Sequence, residues 1–171
     1  VLPQKRIDKM AICECCGQAL PEANHWADKP NKRGKTHRER TLKNLEGVHP
    51  SLQAIVIGAM DRFKPELTGL PEFTWAVISG VRTLDEQRDL VKRGASKTLK
   101  SKHLIQSDGL GHAVDIGCFQ GNIYLTDISY YMAVKQAFFK EAVQYPSIKV
   151  DWGGSWKGFI DPSHFQITRF L

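Results

Sequence analysis

The sequence predicts an α+β domain. Segments rich in aromatic and β-branched residues read as short strands: Phe73–Ser79, the stretch 112–117, Ile148–Trp152 and His164–Thr168. Three longer segments carry helix signals, and glycine and proline punctuate the joints between elements. A small, mostly antiparallel sheet with helices packed on one side follows, with the functional loops at the sheet edge.

The first helix is expected after His49-Pro50, where Leu52, Ile55, Val56 and Ala59 share one face. His49 stands where it would help cap that helix. Two prolines and a glycine in 64–71 end it, and Phe73–Ser79 follows as a buried strand. Thr83–Arg93 opens with Thr83 and Glu86, the reciprocal pair of a capping box, and stops at Gly94. A basic loop, Ala95–Lys102, then leads into the stretch SKHLIQSDGLGHAVDIG (101–117). After the turn signal Gly121-Asn122, apolar Tyr131, Val134, Phe138 and Ala142 recur at helical spacing in Asp127–Tyr145, closed by Pro146. A Gly/Trp-rich loop separates the last two strands.

The 171 residues suffice for one buried core with a small appendage. Residues 1–35, rich in Cys, Pro, Asn, Gly and Lys, read as that appendage, with 1–9 a possible remnant ahead of Met10; residues 36–171 read as the compact domain. No apolar run is long enough to span a bilayer and no secretory signal is visible, so synthesis in a reducing cytoplasm without membrane insertion is expected. Three of the four cysteines, at 13, 15 and 16, are too close together for a disulfide framework. Cys13 and Cys16 resemble one zinc knuckle, a candidate second, structural zinc that His25, His37 or a partner chain could complete; an unliganded tail is the alternative. His25 and His37 otherwise read as solvated. The net charge of +6, concentrated in 29–40 and 88–102, suits an anionic envelope or a plain solvated surface. Without interleaved aromatics it argues against a specific nucleic-acid partner. A monomer is expected.

The chemistry concentrates in two stretches. Asp115 sits among Ala113, Val114 and Ile116, where a carboxylate is costly without a positive partner. With His103, and with Asp161 and His164 of DPSHF, it offers two histidines and two carboxylates. Two imidazoles and one carboxylate form a three-ligand zinc set with a position left for water, and the other carboxylate can serve as base. That is the pattern of a zinc hydrolase. Asp161 and His164 would face opposite ways on a regular strand, so the turn at Pro162 must bring them together.

SKH…GHAVD followed by DPSHF resembles the SxHxxGxAxD and (E/D)xxH signatures of zinc peptidases that cut peptidoglycan stem peptides. NLEGVHPSL (44–52), ISGVRTLDEQRDLVKRGASKT (78–98) and WGGSWKGFIDPSHFQI (152–167) extend the likeness to the L-alanyl-D-glutamate endopeptidases of phage endolysins, over about Thr36 to Thr168. The resemblance implies His103, Asp115 and His164 as zinc ligands and Asp161 as general base. It implies Arg82 as the group that holds substrate and steadies the oxyanion, and Ser101 as a positioner of substrate backbone. It further implies peptidoglycan as substrate and release across the inner membrane by another factor. Trp152 and Gln87 are further candidate substrate contacts. Trp152 and Trp156 could equally serve core or cleft wall, and Gln87 could be a surface residue.

The family spaces its first histidine and aspartate by seven residues; His103 and Asp115 are twelve apart, an insertion around Ile105–Leu110. His112, three residues before Asp115, is therefore a rival ligand. Asp108-Gly109 within the insertion reads as a turn, with calcium or substrate binding as the alternative. Cys118 reads as a small buried residue. The alternatives to an endopeptidase are a D-alanyl-D-alanine carboxypeptidase or dipeptidase, a non-catalytic wall-binding module, and a basic nucleic-acid-binding protein.

Overall fold

The computed structural model describes residues 36–170. The expectations for the appendage, including Cys13, Cys16 and His25, lie outside the described residues. Among the described residues no helix is long and apolar enough to cross a membrane.

Among the described residues, four α-helices and five strands run in the order α1 (His37–Asn44), α2 (Pro50–Arg62), β1 (Thr74–Ser79), α3 (Leu84–Lys92), β2 (Ala113–Gln120), β3 (Ile123–Leu125), α4 (Ile128–Ala142), β4 (Ile148–Trp152) and β5 (His164–Phe170). Local chemistry sets most of the boundaries. The His49 ring accepts from the Ser51 amide at the start of α2, Thr83 and Glu86 cap α3 reciprocally, and Asp127 caps α4 through Ser129. Two elements go beyond the sequence reading. β3 is the short, exposed return of a hairpin turned at Gly121, whose φ of 58° suits glycine. α1 starts at a second capping box, Thr36 with Glu39.

All strand pairs are antiparallel, in the order β1-β2-β5-β4, with β3 on the far end of β2. The two-residue period of β2 and β5 separates two jobs. Val114, Ile116, Cys118, Phe165 and Ile167 face a core closed by Leu52, Ile55, Val134 and Phe138 of α2 and α4. Phe138 stacks on Phe165 at 4.2 Å between ring centroids; burying such a side chain contributes about 1.5–3 kcal/mol. The alternate residues, Asp115 and His164, are direct cross-strand partners on the other face.

α1 covers the open edge of β1. Thr41 accepts from the Val77 amide at 3.0 Å, and the Asn44 side chain donates to the Val77 carbonyl at 2.7 Å, so the edge backbone is satisfied by a helix. This corrects the expectation for His37, which is buried beside the Phe119 ring instead of solvated. Gly80 carries the close approach: a Cβ there would stand 1.8 Å from the Asn44 carbonyl oxygen.

Candidate metal centre

Asp115 and His164 enter the site from the register of the two inner strands, and His103 from the loop ahead of β2. The site therefore lies over β2 and β5, where the loops ahead of these strands meet the sheet. His103 Nε2 is 3.1 Å from Asp115 Oδ1 and 3.2 Å from His164 Nδ1, and His164 Nδ1 is 3.0 Å from the same carboxylate oxygen. Among the described residues, these three form the one set of His, Cys, Asp and Glu side chains whose ligand atoms converge.

The outer hydrogen bonds decide what these atoms offer. The Gly80 carbonyl can only accept, so His103 Nδ1 donates to it at 2.6 Å and Nε2 presents a lone pair to the cluster. His164 Nε2 donates to Gln166 Oε1 at 3.0 Å, which leaves Nδ1 as its inward lone pair. Asp115 divides its oxygens, Oδ2 to the Arg82 guanidinium and Oδ1 to both histidines. Two imidazole lone pairs and a carboxylate oxygen aimed at one point need a cation, either a proton on one ring or a metal ion. The donor set fits a metal, with each ligand oriented by a second partner as metal-binding histidines require.

Electrostatics agree. Burial pushes the Asp115 carboxyl up, but in the metal-free protein hydrogen bonds from His103 and His164 when their inward nitrogens carry protons, together with the positive charge of protonated His103 and of Arg82, outweigh it and hold the group far below the usual carboxylate range. Burial lowers His164, while the Asp115 hydrogen bond and charge more than compensate and raise it. Asp115 thus stays charged across the physiological range.

Asp161 stands three residues ahead of His164 in the turn that the proline implied, and its carboxylate is not among the converging atoms. Its carbonyl accepts from the His164 amide at 3.2 Å, and its carboxylate accepts from the Ser163 hydroxyl at 2.7 Å. Its charge acts on His164. The turn rests on Gly153, where a Cβ would stand 2.5 Å from the Asp161 carbonyl oxygen.

The other sequence candidates separate. Arg82 binds Asp115 and donates to Ser79 Oγ at 2.9 Å, so it orients that carboxylate while remaining beside the cluster. Ser101 Oγ accepts from the His103 amide at 3.2 Å and shapes the loop that delivers that histidine. Gln87 is neither a surface residue nor open to substrate. It is fully buried and donates to Ser96 Oγ and the Thr98 carbonyl, both at 2.8 Å, with Arg82 Nη1 3.5 Å from its oxygen. The apolar face of α3 is too small to exclude it, and its amide satisfies the loop that α3 covers. Trp152 is 7% exposed; it packs in the core and donates to the Pro162 carbonyl at 2.8 Å, steadying the Asp161 turn from beneath. Trp156 is the tryptophan beside the cluster, 5.1 Å from the His164 ring and anchored to Asp151 Oδ2 at 2.7 Å.

His112 takes no part in the cluster. Its Nε2 donates to Asp108 Oδ2 at 2.7 Å, at the tip of the inserted turn. That turn closes on itself, with Asp108 Oδ1 accepting from Leu110 and Gly109 at φ 81°, so the Asp-Gly reading as a turn holds. Cys118 is buried on the core face, and burial pushes its thiol up to about 12, which removes it as a nucleophile.

Comparison with known proteins agrees with this geometry. A family described as phage L-alanyl-D-glutamate peptidase matches residues 35–168. The L-alanyl-D-glutamate peptidase of Listeria phage A118 is 34% identical over 88 residues, which is 52% of this chain and 28% of that protein's length. The crystal structure of the Serratia marcescens L-Ala D-Glu endopeptidase ChiX superposes with a TM-score of 0.62 at 34% identity, covering 75% of this chain and 86% of that one.

Proposed function

The chain belongs to the phage L-alanyl-D-glutamate peptidase family, and on that premise we propose that it is a zinc-dependent endopeptidase cutting the L-alanyl-D-glutamate bond of peptidoglycan stem peptides. The observation that carries the reading is the convergence of His103 Nε2, Asp115 Oδ1 and His164 Nδ1 on one point. Two imidazole nitrogens and one carboxylate oxygen suit zinc with a position left for water. When bound, zinc supplies a water acidic enough to act near neutral pH and a Lewis acid for the scissile carbonyl.

The residues around it do the rest. Asp161, outside the ligand set, takes the proton of the attacking water and returns it to the leaving amine. Arg82 fixes Asp115 and keeps guanidinium donors for the developing oxyanion. Ser101 and Gln87 hold the loops that present His103 and Arg82. The basic surface favours an anionic cell envelope, and delivery to the wall falls to another factor. The basic nucleic-acid reading has no feature of the site to support it.

The test is digestion of purified peptidoglycan by the wild type and Asp161→Ala, with metal content measured on both. New N-terminal D-glutamate from the wild type alone, with zinc retained in both proteins, is the expected result. Released D-alanine would move the bond to a carboxypeptidase, and no cleavage by zinc-loaded wild type would leave a wall-binding module.

A further inference from the structure

Gln87 ties a basic loop to the site. Its buried amide spans from Arg82 to Ser96 and Thr98, so residue 97 is bracketed between two anchored neighbours. Lys97 itself is exposed, and its ammonium lies 4.9 Å from the centroid of the Phe159 ring. Phe159 stands two residues before Asp161. Lys97 therefore bridges the loop buttressing Arg82 and the loop carrying Asp161.

An aromatic ring holds a cation without neutralising it. Lys97 makes no ion pair among the described residues, so its charge and ammonium donors remain available for an anion. Lys100, in the same loop and also exposed, has no such ring contact among the described residues. The substrate supplies an anion of suitable chemistry. When the amine of a D-glutamyl residue is the leaving group, the α-carboxylate sits two bonds from the scissile nitrogen.

We propose that Lys97, seated on Phe159, is a specificity-determining residue that recognises the free carboxylate beside the scissile amide. This rests on the endopeptidase reading above. The lysine makes the enzyme prefer a charged D-glutamyl residue over its α-amide, and the ring contact reduces the freedom the flexible side chain must lose on binding.

The experiment compares kcat and KM on two synthetic peptides, one with a free D-glutamyl α-carboxylate and one with that group amidated. The zinc-loaded wild type, Lys97→Gln, Lys97→Arg and Lys100→Gln are measured. Lys97→Gln is expected to lose about five- to tenfold in kcat/KM on the free acid, mostly through KM, with little change on the amide, as for a partly screened charge contact. Lys97→Arg should keep most of the preference and Lys100→Gln all of it. Thermal melting of each variant checks the fold. Cleavage with an unchanged acid-to-amide ratio in Lys97→Gln, or an equal loss on both peptides, overturns the inference alone. Failure of the wild type to cut either peptide overturns the endopeptidase reading and this inference with it.

Discussion

Two histidine–aspartate pairs arise from the stretch 103–115, and they differ in nearly everything except composition. His103 and Asp115 are buried, joined by His164 and Arg82, and oriented by a backbone carbonyl. Asp108 and His112 close a surface turn, and that carboxylate is more than a third exposed. In the first pair, outer partners turn the lone pairs inward. In the second, one N–H meets one carboxylate and the demand for charge ends there. What sets the candidate metal site apart is thus what constrains its side chains from behind, more than which residue types lie close together.

The sharpest way to break that comparison is to remove one histidine from each pair. His103→Ala should lose bound zinc and cut cleavage by more than about a hundredfold, since even residues that merely support a ligand cost about 10- to 100-fold. His112→Ala should keep its zinc while losing about 1–3 kcal/mol of stability from its buried ring. Metal analysis, peptide cleavage and thermal melting on both proteins check this. Zinc lost from His112→Ala and kept in His103→Ala would reverse the assignment.

Sequence alone could not settle that choice, because the inserted turn broke the spacing that would have distinguished the two histidines. Residue types and order were legible, as were the strands that present Asp115 and His164. Two-residue periodicity also placed Val114 and Ile116 opposite Asp115, but it did not say which strand would pair with β2. That Asp115 and His164 face each other became visible only with the β2–β5 register. α1 carried a readable signal, Thr36 three residues before Glu39, that the surrounding charge run obscured. Its contact with β1 is what buries His37. β3 is too short and exposed to leave a hydrophobic pattern. Gln87 and Trp152 read from the sequence as substrate contacts, yet both are buried, because whether a side chain faces a cleft or supports a loop depends on tertiary packing.

A smaller effect sharpens the comparison through pH. Asp115, depressed in the fold, stabilises the protein above its unfolded value of about 3.9, and that contribution is lost as pH falls. His164, raised in the fold, stabilises the metal-free protein below about 6.5, and that contribution is lost as pH rises through its folded pKa. Both favour the metal-free protein between those values. Zinc needs His164 unprotonated, so the stabilisation it confers should be larger at pH 8 than at pH 5. At a free zinc concentration a thousandfold above Kd it amounts to about 4 kcal/mol. Melting curves of chelator-treated and zinc-loaded protein at the two pH values test this. Equal zinc-induced shifts would show that His164 does not compete for a proton.

The smallest effect belongs to the other pair. The His112 hydrogen bond is the main cause holding the Asp108 carboxyl below its ordinary value, so its contribution is present above about pH 3.9 and fades as pH falls. The group is open to water, which screens most of that interaction. Asp108→Asn keeps an oxygen that can accept from His112, so it should bind zinc and cleave like the wild type. Its Tm should lie slightly below wild type at pH 7, with the gap narrowing toward pH 3, where the native carboxyl is also losing its charge. A Tm gap that stayed constant from pH 7 to pH 3 would show that the shape of the inserted turn matters more than its charge, and the contrast between the pairs would then rest on burial alone.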